Sequence, residues 1–124
     1  MTTTVLSITP FRDVHDINVT SKNGRSFIID IYKGNNDSFD SEVTVLDNVS
    51  SLKGSWLYKT SPATSSASDN YKAAIELIKN YLSSVDDKDS ISDIHNPCNC
   101  PFISGADQNK VLKGLGENIN VRVN

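Results

Sequence analysis

The hydrophobic and polar residues divide the chain into a strand-rich first half and a second half that contains helices. Apolar and polar residues alternate in Ile17–Thr20 and again in Arg25–Tyr32, where Phe27, Ile29 and Ile31 fall on one face. A period of two is typical of a strand that is buried on one side. Both segments are therefore predicted to be strands.

The pair Asn23-Gly24 lies between these two segments. Asn-Gly readily takes the positive φ values of a tight hairpin turn, so Ile17–Tyr32 is predicted to form a β-hairpin. The alternation also predicts a short β-prone segment at Val5–Ile8 and further strands at Glu42–Leu46, Ser55–Thr60 and Asn118–Val123.

Two segments in the second half have the spacing of amphipathic helices. In Asp69–Val85, capped by Ser68 or Asp69, apolar residues recur every three or four positions: Tyr71, Ala74, Ile75, Ile78, Tyr81, Leu82 and Val85. A shorter helix is predicted at Ala106–Lys113, with Val111 and Leu112 inward and Gly114 as its left-handed end.

These elements predict a single α+β domain over residues 1–124. Its antiparallel sheet of about five strands carries one long helix (69–85) on one face, and a short second helix lies near the C-terminus. The apolar stripe of the long helix needs a sheet to cover it, so Ile78 and Phe27 are both expected in the core.

Net charge limits the kinds of partner that the chain can bind. Twelve Lys and Arg against 15 Asp and Glu give a formal net charge of −3, and no basic stripe could neutralise a phosphate backbone. The N-terminal segment lacks the features of a secretory signal, and no apolar stretch approaches the length of a membrane span. We expect a cytoplasmic protein that contacts neither nucleic acid nor membrane directly.

Acidic residues form two clusters, one at Asp37, Asp40, Glu42 and Asp47 and the other at Asp86, Asp87, Asp89 and Asp93. Most acidic runs are ordinary solvated surface. The alternative is a docking surface for a basic protein, since complementary charge steers association. On that interpretation the partner-binding residues are Asp37, Asp40, Glu42, Asp47, Asp86, Asp87 and Asp89.

The chain shows no recognisable set of catalytic residues. It has no Gly-rich phosphate loop and no Gly-x-Ser-x-Gly motif, and Asp86 and Asp87 come at a helix end rather than facing each other across a cleft. We therefore expect a protein that is not an enzyme and needs no cofactor.

The segment His95–Pro101 is the one candidate for thiol or metal chemistry. It holds both cysteines, Cys98 and Cys100, beside His95 and between two prolines, and His15 is a conceivable fourth ligand. Structural zinc sites usually use two ligand pairs whose members are two to four residues apart, so only half a site is visible. A reduced pair of thiols in an ordinary loop is the competing interpretation.

Two functions follow from these features. The first is a non-catalytic protein-binding module, an acidic inhibitor of a basic partner; bacterial immunity proteins that neutralise toxins are similar in size and charge alone. The second is a thiol or metal-binding protein that acts through His95, Cys98 and Cys100.

Overall fold

The computed structural model describes residues 17–33, 38–46, 55–59, 66–97 and 102–123. In these ranges the strands β1 to β6 are Ile17–Ser21, Ser26–Lys33, Phe39–Leu46, Ser55–Lys59, Ile91–Asn96 and Arg122–Val123. The helices α1 and α2 are Ala67–Ser84 and Gly105–Gly114. The predicted strand at Val5–Ile8 lies outside the described residues.

The described strands form one sheet in the order β4-β3-β2-β1-β5-β6. Every neighbouring pair is antiparallel except β5 and β6, which are parallel and are connected through α2. The predicted α+β class, with a mostly antiparallel sheet, one long helix and one short helix, is confirmed.

The predicted hairpin is confirmed and closes at the Asn23-Gly24 turn. Gly24 has a φ of +94°, in the region that only glycine adopts without strain. The Ser21 backbone N–H donates to the Arg25 carbonyl at 2.8 Å, and the Gly24 N–H donates to the Ser21 carbonyl at 3.2 Å. β1 and β2 are thereby held in a register that pairs Val19 with Phe27.

The core lies between the helices and one face of the sheet. Phe27, Ile29 and Ile31 of β2 are fully buried on this face, as their spacing predicts, and Ile78 of α1 is 0% exposed. α1 packs against β2 and β3, and Tyr81 meets Phe27 edge-on with ring centroids 5.9 Å apart. The prediction that Ile78 and Phe27 are both core residues is confirmed.

The helix termini differ from the predicted ones by a few residues. The N-cap of α1 is Ser66, earlier than Ser68 or Asp69, and its side chain accepts a hydrogen bond from the Asp69 N–H at 3.2 Å. The left-handed residue after α2 is Gly116, with a φ of +80°, and not Gly114.

Two hydrogen bonds explain the C-terminal end of α2. The Gly116 N–H donates to the Lys113 carbonyl and the Glu117 N–H donates to the Leu112 carbonyl, at 3.1 and 2.9 Å. This is the Schellman arrangement, in which the residue two positions before the left-handed one is still helical. Gly114 occupies that position.

The C-terminal strand is shorter than predicted. Instead of six residues, only Arg122 and Val123 pair with the sheet, next to His95 and Asn96 of β5. The preceding residue, Val121, is buried, and its backbone N–H donates to Asn109 Oδ1 of α2 at 2.8 Å. The Asn109 side chain of α2 therefore accepts the hydrogen bond that a carbonyl of a neighbouring strand would otherwise accept.

In the part of the chain that the structure describes, no helix combines the length and the apolar composition that crossing a membrane requires.

Candidate functional site

The face of the sheet opposite the helices, here called the outer face, carries acidic residues on β2 and β3. Asp30 of β2 stands directly opposite Glu42 of β3, and Tyr32 stands opposite Asp40. Asp30 is 4% exposed, whereas Asp40 and Glu42 are half-buried. The sheet register therefore places the carboxyl groups of Asp30 and Glu42 side by side on this face.

A neighbouring side chain binds Glu42 but not Asp40. The Tyr32 hydroxyl donates to Glu42 Oε1. Asp40 makes no hydrogen bond or ion pair with the residues that the structure describes. The structure therefore brings together two predicted partner-binding residues, Asp40 and Glu42. The other two of the first cluster, Asp37 and Asp47, lie outside the described residues.

The second acidic cluster lies largely in the connection between α1 and β5, against the tip of the β1–β2 hairpin. Two of its carboxylates bind the hairpin and form a hydrogen-bonded network, here called the hairpin clamp, which consists of Ser21, Asn23, Arg25, Asp87 and Asp89. Sequence reasoning treated these carboxylates as surface and did not find the clamp.

Asp89 is the buried centre of the clamp. Its side chain is 0% exposed and 2.9 Å from Arg25 Nη1. Its Oδ2 also accepts from Ser21 Oγ at 2.5 Å, and its Oδ1 accepts from the backbone N–H groups of Asn23 and Ser90 at 3.0 and 2.8 Å. The interpretation of Asp89 as a partner-binding residue is corrected, because a carboxylate enclosed in this way is not part of an accessible surface.

The pKa of Asp89 results from two opposing effects. Burial acts to raise it, but the hydrogen bonds from Ser21, Arg25 and the backbone of Ser90 and Asn23 favour the ionised carboxylate and hold the pKa below its usual value. The ionised Asp89 carboxylate therefore has a structural role, in which it holds the hairpin against the α1–β5 connection.

Asp87 belongs to the clamp but stays partly accessible, with 41% of its side chain exposed. Its Oδ2 accepts from Arg25 Nη1 at 3.0 Å and from Asn23 Nδ2 at 2.8 Å. The hydrogen bond from Arg25 is the main cause that lowers the pKa of Asp87. Asp86 is exposed and has no hydrogen bond or ion pair with the described residues.

Asp93 lies on the outer face of β5 and pairs with Arg122 of β6. Arg122 donates from Nε and Nη2 to the two carboxylate oxygens, both at 2.8 Å. These hydrogen bonds hold the pKa of Asp93 below its usual value. The pair neutralises its own charge, so this end of the outer face adds little to the negative potential.

His95 is a half-buried residue of β5, opposite Asn18 of β1. The described residues contain no group of three or more His, Cys, Asp or Glu that could hold a metal ion. The other candidate ligands, Cys98, Cys100 and His15, lie outside the described residues. The thiol or metal hypothesis therefore stays a prediction from the sequence.

The cysteine segment allows a direct test of that hypothesis. Replacing Cys98 and Cys100 together by serine is expected to change the free energy of unfolding by less than about 1 kcal/mol in reducing buffer, as for ordinary loop positions. The measurement is a thermal melt, with metal analysis of wild-type protein purified without chelator. A large drop in melting temperature together with stoichiometric zinc would favour the metal hypothesis instead.

No family model, curated protein or solved structure matches this chain.

Proposed function

We propose that the protein is a non-catalytic binding module that recognises a basic protein through the outer face of β2 and β3. The observation that carries this proposal is the position of Asp40, which is half-buried, without a hydrogen bond or ion pair to the described residues, and next to Glu42 and Asp30 on the same face.

The distribution of the other acids supports this choice of surface. Asp87 and Asp89 are bound by Arg25, and Asp93 is bound by Arg122. A carboxylate that already has a basic partner within the chain gains less from a second one, because the first pairing must be weakened. Within the second cluster only Asp86 is left without a basic partner among the described residues, so most of that cluster's negative charge is already paired inside the chain.

The outer face also has the rigidity and composition that recognition requires. β3 pairs with β2 along its whole length, Asp40 included, and with β4 from Glu42 to Leu46, so its side chains project from a fixed backbone. Tyr32 adds an aromatic side chain beside Asp40, and tyrosine is enriched at protein interfaces. Such a face can bind arginine or lysine side chains without the loop ordering that costs affinity.

Charge reversal at Asp40 tests the proposal. Binding kinetics of the Asp40→Lys variant with the protein that co-purifies with the native chain are measured at low and at high salt. The association rate constant at low salt is expected to fall by about tenfold, and the difference from wild type should shrink at high salt, because opposite charges act mainly on association and are screened.

The matched control is Glu76→Lys. Glu76 is an exposed residue of α1, in the helical layer on the opposite side of the sheet, and the substitution makes the same change in net charge. A second arm, Asp86→Lys, tests the exposed acid of the second cluster. If Asp40→Lys and Glu76→Lys slow association equally, only net charge matters and the outer face is not the binding surface.

A further inference from the structure

Asn23 and Gly24 form the only Asn-Gly pair of the sequence, and both are exposed at the tip of the β1–β2 hairpin. In such a pair the backbone nitrogen of the glycine can attack the asparagine side-chain amide. Glycine favours this reaction because no Cβ shields its nitrogen. At Gly24, the space that a Cβ would occupy is open, with no atom within 4 Å.

We propose that Asn23 is a site of spontaneous deamidation and that its conversion opens the hairpin clamp. The Gly24 nitrogen forms a bond with Asn23 Cγ, the Cγ–Nδ2 bond breaks, and the amide leaves as ammonia with the proton of the Gly24 N–H. Water then adds to the cyclic imide. Cleavage at Cγ gives aspartate, and cleavage at the backbone carbonyl gives isoaspartate, in which the main chain runs through Cβ and Cγ.

The clamp holds both reacting groups and therefore slows this reaction. Asn23 Nδ2 donates to Asp87 Oδ2 at 2.8 Å, and the Gly24 N–H donates to the Ser21 carbonyl at 3.2 Å. Attack requires the amide to turn away from Asp87 and the Gly24 nitrogen to leave Ser21. Loss of the bond to Asp87 should therefore accelerate the conversion.

The aspartate product is incompatible with the clamp as it stands. The new carboxylate replaces a donor that lies 2.8 Å from Asp87 Oδ2, and an ionised oxygen cannot donate to another. Residue 23 would then be the third carboxylate around Arg25, which already binds Asp87 and Asp89. Repulsion between like charges weakens the connection of the hairpin to the α1–β5 loop.

The isoaspartate product disturbs the clamp through the backbone. It adds one main-chain atom between two residues whose positions are fixed by hydrogen bonds, from the Asn23 N–H to Asp89 Oδ1 and from the Gly24 N–H to Ser21. The turn that sets the β1–β2 register is then too long for both bonds to form.

The experiment ages the full-length protein in mildly alkaline buffer. The more acidic form is separated by ion exchange, mapped by mass spectrometry of its peptides and melted in parallel with fresh protein. We expect the added charge at residue 23 and a melting temperature lower by roughly 3–6 °C, the size of shift that the loss of one charge-assisted hydrogen bond gives in a domain of this length. Conversion mainly at another asparagine, or an acidic form that melts like fresh protein, would overturn the proposal.

Two variants test whether the new charge at residue 23, and not other damage during ageing, lowers the melting temperature. Asn23→Asp reproduces one product and is expected to melt lower than wild type, with a difference that shrinks as salt is added. Asn120→Asp, at an exposed position outside the clamp, makes the same charge change and should melt like wild type. Equal effects of the two variants would exclude the clamp as the cause.

A third variant, Asp87→Ala, tests the protective hydrogen bond. Its Asn23 should convert about fivefold faster than that of wild type, since one hydrogen bond of ordinary strength corresponds to a factor of this size. A rate equal to that of wild type would contradict the protective role assigned to Asp87.

Discussion

Replacing Arg25 by methionine is expected to destabilise the protein by about 3 kcal/mol, because it leaves the buried Asp89 carboxylate without its cation. The Asp89 side chain is 0% exposed and that of Arg25 is 9% exposed, so water can replace the guanidinium only poorly. Methionine replaces most of the apolar stem of arginine but is shorter and carries no guanidinium, so the loss reports mainly the missing cation and its hydrogen bonds. Urea unfolding at neutral pH measures it.

The effect of the Arg25→Met change should depend on pH. In wild type the lowered pKa of Asp89 means that its carboxylate stabilises the fold above its unfolded-state pKa, about 3.9, and that this stability is lost as pH falls through the lowered folded-state value. Below that value Asp89 is protonated in both proteins. The deficit of Arg25→Met should thus be largest near neutral pH and shrink in acid.

The matched control for Arg25→Met is Lys88→Met. Lys88 is an exposed cation next to the clamp, and among the described residues its Nζ contacts only the Ser83 carbonyl, at 3.4 Å. Its replacement is expected to change stability by less than about 0.5 kcal/mol. A similar, pH-independent loss in both variants would show that Arg25 acts through packing or net charge and not through Asp89.

Ile78→Ala is expected to cost about 2–4 kcal/mol through lost burial and the cavity that remains. Ile78 is 0% exposed and belongs to the core cluster between α1 and the sheet. Unfolding by urea measures the loss, and Leu77→Ala provides the comparison, since Leu77 is only partly buried against the same cluster. An unfolding midpoint of Ile78→Ala near that of wild type, or a larger loss for Leu77→Ala, would contradict this packing.

Local patterns were sufficient for the elements whose periodicity is uninterrupted. The hairpin followed from alternation on both sides of Asn23-Gly24, and the long helix followed from apolar residues at intervals of three and four. In both elements the apolar face predicted from the sequence is the face that is buried in the fold. The reason is that a strand or helix packed against a single layer repeats its apolar residues with one regular period.

β5 was not predicted because a bulge interrupts its alternation. Thr20 of β1 pairs with Asp93, but the next residue, Ser21, pairs with Ile91, so Ser92 is an extra residue on β5. Ile91 and Ile94 are therefore both buried although they are three positions apart. A bulge shifts the side-chain period by one, and a spacing of three within an acidic stretch does not indicate a strand.

The role of the second acidic cluster could not be predicted because it depends on contacts between distant residues. Arg25 and Asp89 are 64 positions apart, and nothing near Asp89 in the sequence distinguishes it from Asp86. The burial of Asp89 and its pairing with Arg25 both depend on the packing of β5 beside β1. In the first cluster, alternation within the predicted strand Glu42–Leu46 places Glu42 on the face opposite Val43. Asp40 lies before that predicted strand, and only the pairing of β2 with β3 brings it to the same face as Asp30 and Glu42.

The order of the strands has a consequence for how the protein folds. β1 to β4 pair with their neighbours in sequence, whereas β1 joins β5 across 72 positions between Thr20 and Ser92. Closing so long a loop costs chain entropy before any contact compensates for it, so distant pairings form late. We therefore expect the β1–β5 seam to be absent from the folding transition state, and substitutions in the hairpin clamp to accelerate unfolding while leaving the folding rate nearly unchanged.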